Sequence, residues 1–141
     1  MKLLLDTGVL GQICHPRKHQ EVRSWFRRAV REHEFLISEV ADYELRRELL
    51  RIDSRRSLAR LDELTRELQY LPTTTATWRA AARLWATQRR AGHVGGEGLD
   101  GDVLIVAQAI EEAAAVVTFN ERHFAALVDA LAWSAVPLAE T

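Results

Sequence analysis

The chain has 141 residues, of which 48% are hydrophobic and 28% charged, and a formal net charge of -1. That is one domain's worth of sequence, long enough to bury roughly two-thirds of its unfolded surface without staples. Cys14 is the only cysteine, which excludes a disulfide framework and fits a reducing, cytoplasmic home; no apolar run approaches the roughly 20 residues of a membrane span, so no membrane partner is expected.

The opening MKLLLDTGVL is too short and too soon acidic for a signal peptide. It reads as a first strand, Lys2 to Leu5, stopped by Asp-Thr-Gly and followed by a loop. Glu21 to His33 predicts a helix, with Val22, Trp25, Phe26 and Val30 at helical spacing. Phe35 to Ile37 is a second short strand. Ser38 then caps a helix running from Val40 to Ile52. Ser57 to Leu68 predicts another helix, with Leu58, Leu61, Leu64 and Leu68 on one stripe. Tyr70-Leu71-Pro72 is an edge strand, where proline is tolerated. Thr75 to Ala91 is a long helix carrying Trp78, Ala82, Trp85 and Ala86.

Gly92 to Gly98 holds four of the seven glycines and predicts a mobile loop. The run Val103 to Ile110 is too uniformly apolar for a surface helix and predicts a buried one. Ala115 to Thr118 is a further strand and Ala132 to Leu138 the last. Strands alternating with helices point to an α/β sandwich with a parallel sheet, in a single domain spanning residues 1–141.

Of the 19 basic residues only Lys2 and Lys18 are lysines. Most of the arginines read as solvated helix faces. The balanced charge excludes a grossly basic nucleic-acid coat and leaves room for a local basic rim.

Asp6, Glu44, Asp100, Asp102 and Asn120 fall where a parallel sheet would gather them, near the carboxyl ends of strands. Each has a local explanation. Asp6 and Asn120 suit turns, Glu44 suits a solvated helix face, and Asp100 and Asp102 suit a helix start. Together, carboxylates converging on one crevice repel each other unless a cation sits between them. Oxygen ligands without Cys or His imply a hard ion, Mg²⁺ or Mn²⁺.

The segments LLLDTGVL, SEVADYEL (Ser38–Leu45), LDGDVLIVAQAI and VVTFNERHF stand in this order and, with the spacing between them, span almost the whole chain. They resemble the PIN domain family, and more closely its VapC-like toxins. The resemblance implies a three-layer α/β sandwich with a central parallel sheet of four or five strands. It also implies a metal-dependent endoribonuclease using Mg²⁺ or Mn²⁺, an antitoxin partner and a homodimer. By the same resemblance Asp6, Glu44 and Asp102 match the metal-holding acids, with Asp100 an additional acid that competes with Asp102 for the direct role. Asn120 matches a fourth position that is often Asp, and Gly8 stands where many relatives carry Asn or Ser. In this reading Glu44 serves as a ligand through water or as general base, and Asn120 orients a water. Thr7 and Thr118 are candidate hydrogen-bond donors behind the ligands.

Substrate grip is expected from Arg46 and Arg47, within a cluster that continues through Arg51, Arg55, Arg56 and Arg60. Contact with an antitoxin peptide, or with solvent alone, competes for that surface. The tryptophans Trp25, Trp78, Trp85 and Trp133 read as core or dimer packing. Cys14, His15 and His19 lack a fourth partner for zinc, and His123 reads as structural. The segment LLLDTGV also hints at a haloacid-dehalogenase-type phosphatase, but Gly8 stands where that chemistry needs a second Asp. Two rival functions stay open: a non-catalytic PIN-like module that binds RNA or protein, and a DNA-directed nuclease of the same fold.

Overall fold

The structure, a computed structural model, describes residues 1–92 and 99–140. The chain runs β1 (Lys2–Leu5), α1 (Thr7–Cys14), α2 (Gln20–Ala29), β2 (Glu34–Ser38), α3 (Glu39–Arg51), α4 (Arg55–Glu67) and β3 (Gln69–Leu71). It continues through α5 (Thr75–Arg90), α6 (Leu99–Glu111), β4 (Ala115–Val117), α7 (Glu121–Phe124) and β5 (Ala130–Leu131), and closes with a 3₁₀ turn, Trp133–Ala135. Among the described residues these five strands form one sheet in the order β3-β2-β1-β4-β5, with every pairing parallel.

Leu3, Leu4 and Leu5 are each fully buried, as are Leu36 and Ile37 and, next to β1, Val116 and Val117. Successive strand residues point to opposite faces, so burial of consecutive residues requires helices on both faces. The expected three-layer α/β sandwich follows, with β1 at its centre. Trp25 and Phe26 each pack edge to face on Phe35, at ring separations of 5.8 and 5.2 Å, and Trp133 joins Trp25 at 5.9 Å. In α6 the run from Val103 to Ala109 is buried, as its composition requires. Its one polar member, Gln108, donates from Nε2 to the carbonyls of Leu71 and Pro72, tying the helix to the end of β3.

Four sequence expectations are corrected. The stretch after β1 is a helix, not a loop: Asp6 caps it, and Val9, Leu10, Ile13 and Cys14 bury one face. Gly11 lets α1 close on α3, since a Cβ there would stand 3.3 Å from Leu45 Cδ1. The last strand is only Ala130–Leu131; from Ala132 the chain turns away in the 3₁₀ turn that brings Trp133 onto Trp25. The short α7 is new, anchored by Phe124. Of the core-or-dimer reading of the tryptophans, the core half is corrected for Trp78 and Trp85, which are 57% and 38% exposed on the single chain because α5 faces inward through Thr77 and Ala81. The glycine-rich segment beyond Gly92 lies outside the described residues up to residue 98.

Candidate active site

The strand order fixes where a site can form. From β1 the chain moves outward through β2 and β3, then returns to the other side of β1 with β4. The carboxyl ends of β1 and β4 therefore flank the switch point, where adjacent connections leave in opposite directions and open a crevice. Asp6 follows β1, Thr118 follows β4, and the Asp6 backbone N–H donates to the Val117 carbonyl at 3.0 Å.

Asp6 Oδ1 accepts the Thr7 N–H at 2.8 Å, and Oδ2 accepts the buried Thr118 hydroxyl at 2.7 Å. That hydroxyl in turn accepts the Asn120 N–H at 3.0 Å. The Thr7 hydroxyl donates to Glu44 Oε1 at 2.9 Å, joining α1 to α3. Asp102, in the first turn of α6, meets His123 Nε2 through Oδ2 at 2.8 Å. Gly101 lies against the Glu44 carboxylate.

Burial, and after it the negative charge of Asp6, pushes the pKa of Asp102 above the ordinary carboxylate value. His123 pulls it back down, and Glu44 adds a smaller upward push. The charges of Asp6 and Glu44 thus both reach Asp102 across the crevice. As the side chains lie, no three His, Cys, Asp or Glu among the described residues stand close enough to share one ion, so joint ligation requires the carboxylates to draw in. The donor set itself suits a hard cation: it offers carboxylate oxygens, with Asp6 and Glu44 held in place by hydroxyls.

The other expected residues are distributed unevenly. Asp100 is exposed and stands with Glu44, Arg47, Tyr43 and Trp78 around a cleft of about 550 Å³. Asn120 is exposed at the start of α7, where its side chain makes no capping bond. Arg46 is committed elsewhere: Nε and Nη2 engage Asp42, and Nη1 engages Asp62 at 2.8 Å. Of the expected arginine pair only Arg47, lying over the Tyr43 ring, lines the cleft beside Glu44. His15 accepts the backbone N–H groups of Arg17 and Lys18 and so organises its own loop. Sequence reasoning missed the contact of His123 with Asp102. The only signal for it was its place three residues past Asn120, in the short helix α7 that follows β4.

A PIN domain profile matches residues 3–129. The chain belongs to the PIN domain family. None of the curated proteins is similar enough to register a match. Among solved structures, a chain of VapBC2 from Rickettsia felis, bound to a promoter DNA fragment, superposes with a TM-score of 0.78 at 18% identity, over 94% of this chain and 99% of that one. VapBC-5 from Mycobacterium tuberculosis, described as a member of the VapBC family of toxin-antitoxin systems, gives 0.62 at 21% identity over 93% and 98%. VapC20 of the same organism, a Sarcin-Ricin loop cleaving toxin, gives 0.65 at 14% over 99% and 98%. These likenesses establish that the PIN fold spans nearly the whole chain. No helix among the described residues is long and apolar enough to cross a membrane.

Proposed function

We propose that this PIN-domain protein is a VapC-like toxin that hydrolyses phosphodiester bonds of RNA with a divalent cation. The carrying observation is the convergence of Asp6, Glu44 and Asp102 at the switch point, close enough that the charges of Asp6 and Glu44 raise the pKa of Asp102. Asp6 and Asp102 would hold Mg²⁺ or Mn²⁺ directly, with Glu44 binding through water and Asp100 available from the rim. The ion supplies Lewis acidity, polarising a phosphoryl oxygen and making water acidic enough to ionise near neutral pH.

The remaining work belongs to the chain's own groups. Glu44, fixed at Oε1 by Thr7, keeps Oε2 free to take a proton from the attacking water. Thr118 and the Thr7 N–H hold Asp6 in one rotamer. Asn120 orients a water through its amide oxygen, and Arg47 meets a substrate phosphate with its guanidinium fork. The description of VapC20 as a Sarcin-Ricin loop cleaving toxin supports the choice of RNA. The toxin-antitoxin description of VapBC-5 supports a small antitoxin partner, and the family reading adds a homodimer in the cytoplasm.

Purified protein is expected to cut single-stranded RNA with Mg²⁺ or Mn²⁺, to stop with EDTA, and to ignore a single-stranded DNA competitor. Asp6→Asn and Asp102→Asn should each lower cleavage by about 100-fold or more at unchanged fold content. Asn120 offers an amide where a fourth carboxylate would strengthen cation binding, which favours a non-catalytic RNA- or protein-binding module as the second reading. Absence of cleavage with every divalent ion, with RNA binding intact in both variants, would establish that module instead.

A further inference from the structure

A second concave site lies at the other end of α1. A cleft of about 240 Å³ opens there between the α1–α2 loop, α2 and α4, floored by Ile13 and Phe26 and ringed by Arg23, Arg27, Arg56 and Arg60. No Asp or Glu lines it among the described residues. Arg23 spends its Nε and Nη2 on the carbonyls of Lys18 and Arg17, which fixes the loop. Arg60 pairs with Glu63, and Arg27 donates one bond to Ser24. Arg56 is exposed and has no hydrogen-bond or ion-pair partner among the described residues. His15, on the same wall, has its pKa pushed down, first by desolvation and then by the positive charges of His19, Lys18, Arg23 and Arg17.

Converging guanidinium groups repel unless an anion lies between them. Their planar forks match phosphate oxygens two at a time. An apolar floor suits the sugar beside a phosphate, and 240 Å³ leaves room for one nucleotide unit but little for a docked helix. A source of cationic grip is also required. The chain carries a net charge of -1 and its crevice is acidic, whereas RNA affinity rests largely on phosphate neutralisation. The eight residues of α1 separate the cleft from Asp6, a rise of about 12 Å.

We infer that this cleft is a second RNA contact, which binds a backbone phosphate of single-stranded RNA one helix-length from the acidic crevice and sets affinity without taking part in cleavage. The inference rests on the RNA-cleaving reading for its substrate and can fail independently of it.

The test measures binding of a fluorescein-labelled oligouridylate to the full chain by anisotropy, in EDTA, between about 50 and 200 mM salt. Arg56→Glu and Arg27→Glu should each weaken binding about tenfold and each reduce the salt slope by about 0.7. Arg56→Gln should give an intermediate loss. With Mn²⁺, kcat at saturating RNA should stay within about twofold while KM rises about tenfold. Unchanged affinity and slope in both charge-reversed variants would overturn the inference. So would unchanged RNA binding accompanied by lost binding of a polyglutamate peptide, which would assign the cleft to an acidic protein segment. Binding through Arg56 in a chain that never cuts would uphold the cleft and refute only the nuclease reading. Cleavage with unaltered affinity in both variants would refute only the cleft.

Discussion

The carboxylate of Glu44 occupies the space that a side chain on Gly101 would need: a Cβ there would stand 2.8 Å from Glu44 Oε2 and 3.2 Å from Oε1. The two residues lie on α3 and α6, so the absence of one methyl group sets how closely an acid from one helix approaches the acidic start of the other. The obstructing atoms are the end of a flexible side chain, so the backbone need not move.

Gly101→Ala is therefore expected to displace Glu44 while leaving the fold intact. Alanine also has the higher helix propensity. The melting temperature should stay level or rise slightly, while RNA cleavage falls about 10- to 100-fold, the scale of a 1 Å misplacement in an active site. A thermal melt beside a cleavage assay checks both halves.

Thr118 holds Asp6 and the Asn120 N–H with one buried hydroxyl. Thr118→Val keeps the shape and removes both bonds. Stability should drop by about 1–2 kcal/mol and cleavage by about tenfold or more, through a loosened Asp6. Thr118→Ser, which keeps the hydroxyl, should recover most of the activity. Equal loss in both variants would place the effect in packing instead.

Asp102 carries a pH signature. Burial, then the charge of Asp6, raises its pKa in the folded state above the ordinary carboxylate value. The folded chain therefore binds that proton more tightly than the unfolded chain. The ionised carboxylate costs stability, in full above the folded pKa and not at all below the ordinary carboxylate range. In EDTA, Asp102→Asn should melt higher than the parent chain at neutral pH, and the gain should vanish as the pH falls through that window. A gain that persisted at the acid end would contradict the electrostatic origin.

Cys14 is 1% exposed, and burial pushes its thiol up to about 12. At about pH 8 it should resist iodoacetamide in the folded protein and react once urea unfolds the chain, because the thiolate is the nucleophile. Rapid labelling of the native protein would show that this end of α1 opens.

Much of the fold was legible because its signals are local. Three consecutive leucines in β1 and the unbroken run in α6 announce burial on every side, and Ser38 caps α3 as expected, accepting the Val40 N–H. The first helix was hidden because Asp-Thr-Gly reads as a turn and two glycines weaken the pattern, although Val9, Leu10, Ile13 and Cys14 stand at helical spacing. For Trp78 and Trp85 the helical period was right, but their stripe is not the one α5 turns to the core. Which stripe of α5 turns inward is decided by Thr77, whose hydroxyl reaches Glu111 on α6, and by Ala81.

Within the candidate site, Asp6 was legible at a strand end and Asp102 at a helix start, whereas Glu44, inside α3, was marked only by the family resemblance. The role of Arg46 was half legible: Asp42 stands four residues before it on α3, but Asp62 lies on the next helix, and nothing local reveals that α3 and α4 will bring the two together. The meeting of His123 with Asp102 was hidden for the same reason: it joins α7 to α6 across 21 residues of sequence.

Calorimetric titration of Mn²⁺ into the parent chain and into Asp102→Asn tests the central claim most directly, since it reads cation capture by Asp6, Glu44 and Asp102 without any RNA. A saturable isotherm in the parent chain, weakened at least about tenfold in the variant, is the expected result. No binding in the parent chain, or the same isotherm in both proteins, would contradict the metal-dependent site.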